Sequence, residues 1–578
     1  MMSRLRPPGA ALALAAGAWT NRRLREEWLG SPPYRWSLGA PKVTGLGVQP
    51  RDLRPADPQA GKRILAGAFV LAGSTLAMGP RGDPWDRPSP DRRFAVALHR
   101  FGWMPDLLAA GGEGVTEGLR LTLDWLRVFG LWNSFSWGPE VLERRVFNLA
   151  CAARTICAGA SDAETARIAA SLGRQVRTLL DQGGGEARAA ERACAAAVGA
   201  CALSGQAAEG LLDQALGRLE RALERAAPEG GGHASRNPQA ALELLFDLLT
   251  LDEALTQLGR PPPEGVSRAI DRLAEAVRFF TLSDGRLAAF QGGEAVAAPY
   301  VAAARADEAA GERPIQASCN GYQRLEGRRL QLMVDAAPPA TGPWSSAACG
   351  QALALEALGG GKRLIVGSGW SPEGPGPQAL RVADAASTAS LGDQACEAPL
   401  RGFPAAVLGP RLVGAPGLVQ AERREAPGAV LLEMAYDGWV RRFGLRHERR
   451  LYLDTATDEV RGEDRFTALQ APGDKPGERD RRFIPFAVRF HLHPEVSAMI
   501  ARDRRSVLLK PEGDEAGWWL RNDALEVTLE PSFYCQDGEL RRSQQIVLRG
   551  QARADTGARV RWKLSSAAAQ VDPPKQQA

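Results

Sequence analysis

The sequence predicts an α+β protein of several domains, in which an array of helices is followed by an antiparallel β-sandwich. Apolar residues recur at helical spacing from about residue 91 to residue 283. After residue 283 the apolar spacing changes to two, in many short segments separated by turns. The 578 residues are too many for one simple core, which also predicts two large domains and smaller pieces.

Residues 1–90 are predicted to form an irregular leader packed on the helical domain, because proline-rich breaks interrupt them. Between these breaks, KRILAGAFVLAGSTLAM is typical of one or two short strands with a glycine turn. The apolar run 10–19 follows basic residues, so it is either a weak signal peptide or a helix of a soluble domain. The first alternative predicts a periplasmic protein and the second a cytoplasmic one. No transmembrane segment is expected, since the apolar runs are too short.

Residues 91–283 are predicted to form the helical domain. Ser161 and Glu164 have the spacing of a capping box, which marks a helix start. Three segments place apolar residues on one helical face, and no strand is expected between the helices. These residues are Ile168, Leu172, Val176, Leu179 and Leu180; Leu212, Leu216, Leu219 and Leu223; and Ile270, Leu273, Val277 and Phe280. Short amphipathic helices in succession predict an antiparallel array.

Residues 284–566 are predicted to form the β-sandwich, and residues 567–578 a disordered tail. The predicted strands alternate apolar and polar residues and include NGYQRLEGRRLQLMVD, RHERRLYLD, EVRGEDRFTAL, RFIPFAVRFHLHP, SVLLK, GWWLRND, ALEVTLEP and SQQIVLRGQAR. Many short strands in succession are typical of an all-β sandwich.

Composition excludes several functional classes. A net charge of +5 is small for this length, so it is compatible with an acidic partner but does not indicate a nucleic-acid binder. The eight cysteines include no C-x-x-C pair, which argues against a zinc ribbon or a disulfide scaffold. No nucleotide-binding fingerprint is present, and no cofactor is expected. The sequence carries no signal of oligomeric state.

The stretch 228–251 is the best candidate for a functional site. Three glycines precede His233, so a tight loop can hold this histidine at the rim of a cavity. Asn237 and Pro238 have the pattern of an N-cap and a first helical residue. Free N–H groups at this helix start, with Arg236 beside them, predict a site for a carboxylate or a sulfate. Alternatively, Asn237 only caps the helix and His233 only satisfies loop backbone groups.

A second candidate is the aromatic stretch 131–148. Its tryptophans could stack on sugars while its arginines bind carboxylates. Alternatively, the tryptophans fill gaps between helices. The residues concerned are Trp132, Phe135, Trp137, Arg144, Arg145 and Asn148.

The segment GGHASRNP resembles a loop of the heparinase II/III family of polysaccharide lyases, whose members often read DGGHFERSPMYH before a helix. His233, Arg236 and Pro238 are retained in this match. The Tyr-His pair of the family falls on Ala240 and Ala241, which cannot transfer protons. The resemblance implies an incomplete α/α toroid with a long cleft, and it extends over residues 320–565 to the family's β domain.

The resemblance also implies a reaction and a substrate. Members cleave beside a uronic acid by β-elimination, which requires a base, a proton donor and neutralisation of the carboxylate. On this basis His233 and Tyr322 are the candidate catalytic residues, and an acidic polysaccharide is the expected partner. Substrate binding is expected from Arg236, Asn237, Asn148, Trp137 and Arg324. For Tyr322, cross-strand packing is the alternative role.

The family's metal ligands are not retained in this sequence. Members hold a metal with histidines in an HGHADALSFE-like strand, an aspartate in RLIVDPG and a histidine in RSTAAHNTV. The corresponding stretches here are AACGQALALE, RLIVGSG and RVADAASTASLGDQ. The ligand positions therefore hold Ala347 or Cys349, Gly367 and Ala386, so no metal is expected.

Two functions are therefore predicted as alternatives. The first is a polysaccharide lyase that acts by β-elimination on uronic-acid-containing polysaccharide. The second is a catalytically degenerate homologue that binds an acidic glycan without cleaving it.

The other four histidines have separate predictions. His491 and His493 could form a metal pair or have a structural role. His447 is expected on a solvated face, and His99 is expected to pack on Trp103.

Overall fold

Helices occupy the first half of the chain and strands the second. The computed structural model describes residues 9–39, 42–182, 185–306, 315–392, 395–414, 417–469 and 482–570. The helices within these ranges are α1 (Gly9–Gly30), α2 (Pro32–Ser37), α3 (Pro58–Leu65), α4 (Arg92–His99), α5 (Met104–Ala109), α6 (Gly112–Phe129), α7 (Pro139–Ile156), α8 (Asp162–Asp181), α9 (Ala189–Cys201), α10 (Gln206–Ala226), α11 (Pro238–Gln257), α12 (Glu264–Phe280), α13 (Ala298–Ala304), α14 (Gly402–Leu408) and α15 (Val440–Phe443). The predicted tail lies largely outside the described residues.

Helices α4 to α12 and the short strand β4 lie within residues 92–280. Ser161 and Glu164 make the predicted capping box at the start of α8, so two otherwise unpaired N–H groups are satisfied. The apolar faces predicted on α8 and α10 are buried in one continuous core, which α11 and α12 also share. Burial of these faces is the main source of helix stability, since short isolated helices are marginal in water.

The leader is more helical than predicted. Residues 9–30 form the single helix α1. Within KRILAGAFVLAGSTLAM, the first residues end α3, and the rest form the predicted glycine-turned hairpin. No described helix is both long and apolar enough to cross a membrane.

The strands are β1 (Gly45–Leu46), β2 (Ala68–Leu71), β3 (Ser74–Ala77), β4 (Leu203–Ser204), β5 (Ser318–Cys319), β6 (Tyr322–Glu326), β7 (Leu330–Asp335), β8 (Leu355–Gly359), β9 (Lys362–Val366), β10 (Ala389–Leu391), β11 (Glu397–Pro399), β12 (Leu412–Gly414), β13 (Val419–Ala426), β14 (Ala429–Tyr436), β15 (Leu445–Asp454), β16 (Glu459–Ala468), β17 (Phe483–Leu492), β18 (Val496–Ile500), β19 (Ser506–Pro511), β20 (Trp518–Asn522), β21 (Glu526–Gln536), β22 (Glu539–Arg553) and β23 (Ala558–Ser566). The short strand β4 lies between helices, where none was expected, because it pairs with β1 of the leader.

Two antiparallel sheets form the predicted sandwich. The first sheet has the order β21-β22-β17-β9-β8-β7-β6-β5, with β10 also paired to β17. The second sheet has the order β13-β14-β15-β16-β23-β20-β19-β18. Leu332 and Val334 of β7 enter the core between the sheets, while Met333 of the same strand enters the helical core. The first sheet is therefore packed between the helical domain and the second sheet.

Candidate functional site

The loop 228–237 follows a path that only glycine adopts easily. Gly231 and Gly232 have positive φ angles, and a Cβ at Gly232 would lie 2.7 Å from the Asn320 side chain of the β domain. Asn237 then caps α11 as predicted, since its Oδ1 accepts from the N–H groups of Gln239 and Ala240 at 2.8 and 3.3 Å. The loop is thus held against the β domain before α11 begins.

The anion site predicted at the start of α11 is not open. The backbone N–H of Glu294 donates to Gln239 Oε1 at 3.1 Å. A Cβ at Gly293 would lie only 2.4 Å from Asn237 Oδ1. The segment 293–294 therefore covers this helix end. Asn237 has the role of the alternative reading, which is to cap the helix.

His233 is buried, with 3% of its surface exposed. Its Nδ1 accepts from the N–H of Ser235 at 3.2 Å and lies 2.7 Å from Ser235 Oγ, which places the ring proton on Nε2. Nε2 is 3.6 Å from Glu191 Oε1 and has no hydrogen-bond partner among the described residues. Burial, and next the charge of Arg188, lower the pKa of His233 to about 4. The ring is therefore neutral at physiological pH.

Arg236 is also buried and has a φ of +62°. Its guanidinium forms an ion pair of 2.6 Å with Asp335 and donates to the carbonyl oxygens of Asn320, Gly321, Ala337 and Pro338. The second oxygen of Asp335 accepts from Gln291 Nε2 at 2.8 Å. All of these partners belong to the β domain, so Arg236 joins the two domains and does not face solvent.

Tyr322 and Arg324 of β6 are used in the same junction. Tyr322 is fully buried, and its hydroxyl donates to the carbonyl of Arg236 at 2.8 Å. The Arg236 guanidinium lies 4.6 Å from the centre of the tyrosine ring, an additional cation–π contact. Arg324 donates to the carbonyls of Phe279 and Thr281 at the end of α12. Burial is the main cause that raises the pKa of Tyr322 well above its usual value.

The aromatic stretch 131–148 is mostly interior. Trp137 is 1% exposed and its Nε1 donates to the carbonyl of Phe129 at 2.8 Å, so it fills a gap between helices. Arg145 is fully buried and lies 4.2 Å from the ring centre of Trp125. Asn148 donates to the carbonyl of Arg100 at 2.8 Å and borders a cavity of about 410 Å³. The charged residues lining this cavity are Arg51, Asp52 and Glu253.

Residues of the leader and of the helical domain together form a charged cluster in which every arginine is paired with a carboxylate. Arg144 and Arg54 both contact Asp247 at 2.8 Å, and Arg188 contacts Glu143. The cluster consists of Asp52, Arg54, Glu143, Arg144, Arg188, Glu191, Glu243 and Asp247. The cluster contains five carboxylates and three arginines, and burial is the main cause that raises the pKa of Glu191.

The other histidines differ from their predictions in part. His447 is 1% exposed, not solvated, because odd-numbered residues of β15 point into the sandwich, where His447 Nε2 lies 2.8 Å from Asp464 Oδ1. His99 accepts from Trp125 Nε1 at 3.0 Å, so its partner is not the predicted Trp103. His491 lies 2.7 Å from Ser532 Oγ, and His493 lies 3.3 Å from Gln536 Oε1. Both are buried in structural contacts.

The metal positions implied by the family resemblance do not fit a metal. Gly367 and Ala386 offer no ligating side-chain atom. Cys349 is buried with a pKa raised to about 11 by burial, and the cation of Arg381 lies beside it. Within the described ranges there is no group of three or more histidine, cysteine, aspartate or glutamate residues placed to hold a metal ion.

The sequence alone does not indicate several residues of the domain junction and of the charged cluster. Asp335 and Gln291 complete the contacts of Arg236, and Glu191 and Asp247 define the charged cluster. Asp335 is 99 residues from Arg236 and ends an apolar strand. No local spacing links such residues, although a carboxylate at the end of an apolar strand is an unusual feature that marks a buried ion pair.

Comparison with known proteins places these observations in context. The family model described as "Heparinase II/III-like, C-terminal" matches residues 310–563. FtsZ-localized protein C of Caulobacter vibrioides is 50% identical over 566 residues, which cover 98% of this chain and 97% of that protein. The crystal structure of heparinase III has a TM-score of 0.66 at 13% identity, covering 98% and 92% of the two chains. The heparan sulfate lyase HepC of Pedobacter heparinus has a TM-score of 0.57 at 14% identity, covering 96% and 88%.

Proposed function

The chain belongs to the heparinase II/III-like family, and from this premise we propose that it is a non-catalytic member that acts by binding a partner where FtsZ is located. The observation that carries this proposal is the contact between Tyr322, Arg236 and Asp335. This contact uses a tyrosine hydroxyl and a guanidinium that an elimination site would need. The fold of the family is retained, while the side chains that are candidates for catalysis and substrate binding contact each other across the two domains.

Proton transfer is the first requirement of β-elimination that the chain lacks. A general base must reach the sugar C5 proton within hydrogen-bonding distance. Ala240 and Ala241 occupy the positions of the family's Tyr-His pair and carry no titratable group. His233 is buried against Glu191, and the Tyr322 hydroxyl already donates to a backbone carbonyl. These contacts support a protein without lyase activity.

Neutralisation of the substrate carboxylate is the second requirement. An uncompensated arginine or lysine would have to face the sugar, because an oxyanion is stabilised only by donors aimed at it. Arg54, Arg144, Arg188 and Arg236 each form ion pairs with carboxylates of the same chain. An acidic polysaccharide would have to displace these partners, which argues against tight glycan binding at the charged cluster or at the junction.

The proposed location at FtsZ rests on the similarity to FtsZ-localized protein C. FtsZ-localized protein C is similar to this chain over nearly its whole length, including the leader and the helical domain. A relationship of this extent supports a shared location with FtsZ. It favours a protein partner over the acidic polysaccharide that the family resemblance implies.

Lyase activity is tested by incubating the purified full-length chain with heparan sulfate and other uronate polymers and following the ultraviolet absorbance of the unsaturated product. A heparinase serves as the positive control. We expect no product above buffer. Product that forms with the chain and is lost in His233→Ala would contradict the proposal and restore the lyase hypothesis.

Association with FtsZ is tested by sedimenting the full-length chain with purified FtsZ filaments and by imaging a fluorescent fusion in dividing cells. We expect co-sedimentation with filaments and a band at the division site. Sedimentation equal to that without FtsZ, together with a diffuse fusion, would contradict the proposed location. Binding to immobilised heparan sulfate, measured in parallel, tests the glycan alternative.

A further inference from the structure

A row of basic and aromatic side chains crosses the outer face of the second sheet, which is the face turned away from the helical domain. The row runs across the neighbouring strands β14, β15, β16, β23 and β20. The residues that lie opposite one another along it are, in this order, Leu431, Tyr452, Arg461, Lys563 and Arg521. The row borders a depression of about 490 Å³. Because five hydrogen-bonded strands build it, the row has a fixed geometry.

Cations outnumber carboxylates around this depression. Its lining contains Arg450, Arg461, Arg521, Arg561 and Lys563, but only two carboxylates, Glu463 and Asp523. Three carboxylates of this face, Glu433, Glu459 and Glu463, are each shared between two cations, and Glu433 pairs with Arg450 and Arg424. Glu459 contacts Arg461 at 2.7 Å and Lys563 at 2.8 Å, and Glu463 contacts Arg561 at 3.3 Å and Arg559 at 3.8 Å. A local excess of positive charge results.

Two of the cations lie nearer to solvent than the carboxylates they pair with, while the lining carboxylate Asp523 is itself exposed. The side chains of Arg461 and Arg561 are 64% and 54% exposed, whereas those of Glu459 and Glu463 are 15% and 21% exposed. An approaching molecule therefore meets the guanidinium groups of Arg461 and Arg561 before it meets Glu459 and Glu463. Exposed ion pairs contribute at most about 1 kcal/mol, so an incoming carboxylate can share these cations at low cost.

One end of the row is apolar. Leu431 and the half-exposed ring of Tyr452 stand beside the cations, and Arg461 lies 5.8 Å from the tyrosine ring centre. Clusters that combine arginine with tyrosine are typical of the centres of protein–protein interfaces. An apolar residue of a partner can pack here while its acidic neighbours contact the arginines.

From this arrangement we propose that the depression lined by Tyr452, Arg461, Arg561 and Lys563 binds an acidic polypeptide segment that carries an apolar residue. Interspersed carboxylates such as Glu463 and Asp523 disfavour the continuous charge of a nucleic-acid backbone. The apolar end favours a peptide over a sulfated glycan. The inference rests on the proposed binding function in taking a protein as the partner, and it assigns that partner to a surface far from the degenerate junction.

The test uses the full-length chain and a short fluorescent peptide of glutamate and glycine with one central phenylalanine, measured by fluorescence anisotropy. Arg461→Glu combined with Lys563→Glu removes two cations of the row. Lys510→Glu combined with Arg502→Glu is the matched control, since both residues are exposed and lie outside the lining. Circular dichroism and thermal unfolding establish that both variants fold.

We expect the row variant to weaken peptide binding by roughly tenfold or more and the control variant to change it by less than about twofold. Tyr452→Ala should weaken binding of the phenylalanine peptide more than that of the same peptide with alanine. Equal affinities of wild type and row variant would overturn the proposal. Tighter binding of a heparin oligosaccharide than of the peptide, with the same loss in the row variant, would overturn it in favour of a glycan surface. Failure of FtsZ co-sedimentation with intact peptide binding would reject the proposed location alone.

Discussion

The hydroxyl of Tyr322 donates a 2.8 Å hydrogen bond to the backbone carbonyl of Arg236 across the junction between the two domains. Both groups are buried, so neither has water as a replacement partner. Tyr322, which the sequence presents as a candidate catalytic base, therefore supplies the hydrogen bond of a backbone carbonyl in the loop that precedes α11.

Tyr322→Phe is expected to lower the free energy of unfolding by about 1–3 kcal/mol, because the buried carbonyl of Arg236 loses its donor. Chemical denaturation followed by circular dichroism measures this change. Tyr452→Phe is the control, since its ring is partly exposed on the sheet surface. A Tyr322→Phe variant as stable as the wild type would show that the hydroxyl is not part of the junction.

Asp335→Ala is expected to destabilise the protein by about 3–5 kcal/mol, because it leaves the Arg236 guanidinium buried without its counter-charge. Glu264→Ala breaks the exposed pair with Arg268 and is expected to cost at most about 1 kcal/mol. Thermal and denaturant unfolding of the two variants provide the comparison. Similar losses in both would mean that the buried pair does not stabilise the junction.

Ala241→His reintroduces the histidine of the family pair at a position with no exposed surface. Overpacking is expected to cost about 1–3 kcal/mol. Combined with Ala240→Tyr, it is expected to produce no lyase activity, because Arg236 and Tyr322 stay engaged with each other. Absorbance of unsaturated product from the double variant would show that the lost pair alone explains inactivity.

Glu397 gives a prediction about pH. Burial raises the pKa of its carboxyl to about 7, although a hydrogen bond of 3.1 Å from the Tyr436 hydroxyl opposes this. Between the ordinary value of 4.5 and pH 7 the folded state keeps a proton that the unfolded state has released. The free energy of unfolding therefore falls as pH rises through this window and is constant above it.

Glu397→Gln holds this side chain neutral at every pH. Relative to the wild type, the variant is expected to gain up to about 3 kcal/mol of stability between pH 4.5 and 7. Denaturant unfolding of both proteins at several pH values measures the difference between their free energies of unfolding. Glu356 is similarly buried and is present in both proteins, so its contribution cancels in this difference. A difference that does not vary with pH would contradict the raised pKa.

Local signals in the sequence predicted much of the fold. Asn237 and Pro238 mark the start of α11, and Ser161 with Glu164 marks the start of α8, because helix capping depends on residues only a few positions apart. The alternation in β15 and β16 predicted strands for the same reason. Each of these features is determined by neighbours along the chain.

Contacts between distant segments could not be predicted in this way. The alternation of β15 identifies a strand but not its buried side, so His447 was assigned to solvent although it pairs with Asp464. Arg236 has the sequence context of a substrate-binding residue, and only the position of Asp335 in space shows its structural role. Charged residues are harder to place than apolar ones, because burial of a charge depends on a partner that local sequence does not identify.

Arg236 contacts the carbonyl oxygens of four β-domain residues from a loop of the helical domain, and Arg324 makes the reciprocal contact to the end of α12. Rotation of one domain about a hinge would have to break these buried contacts together. These buried contacts therefore oppose hinge motion between the helical domain and the β domain.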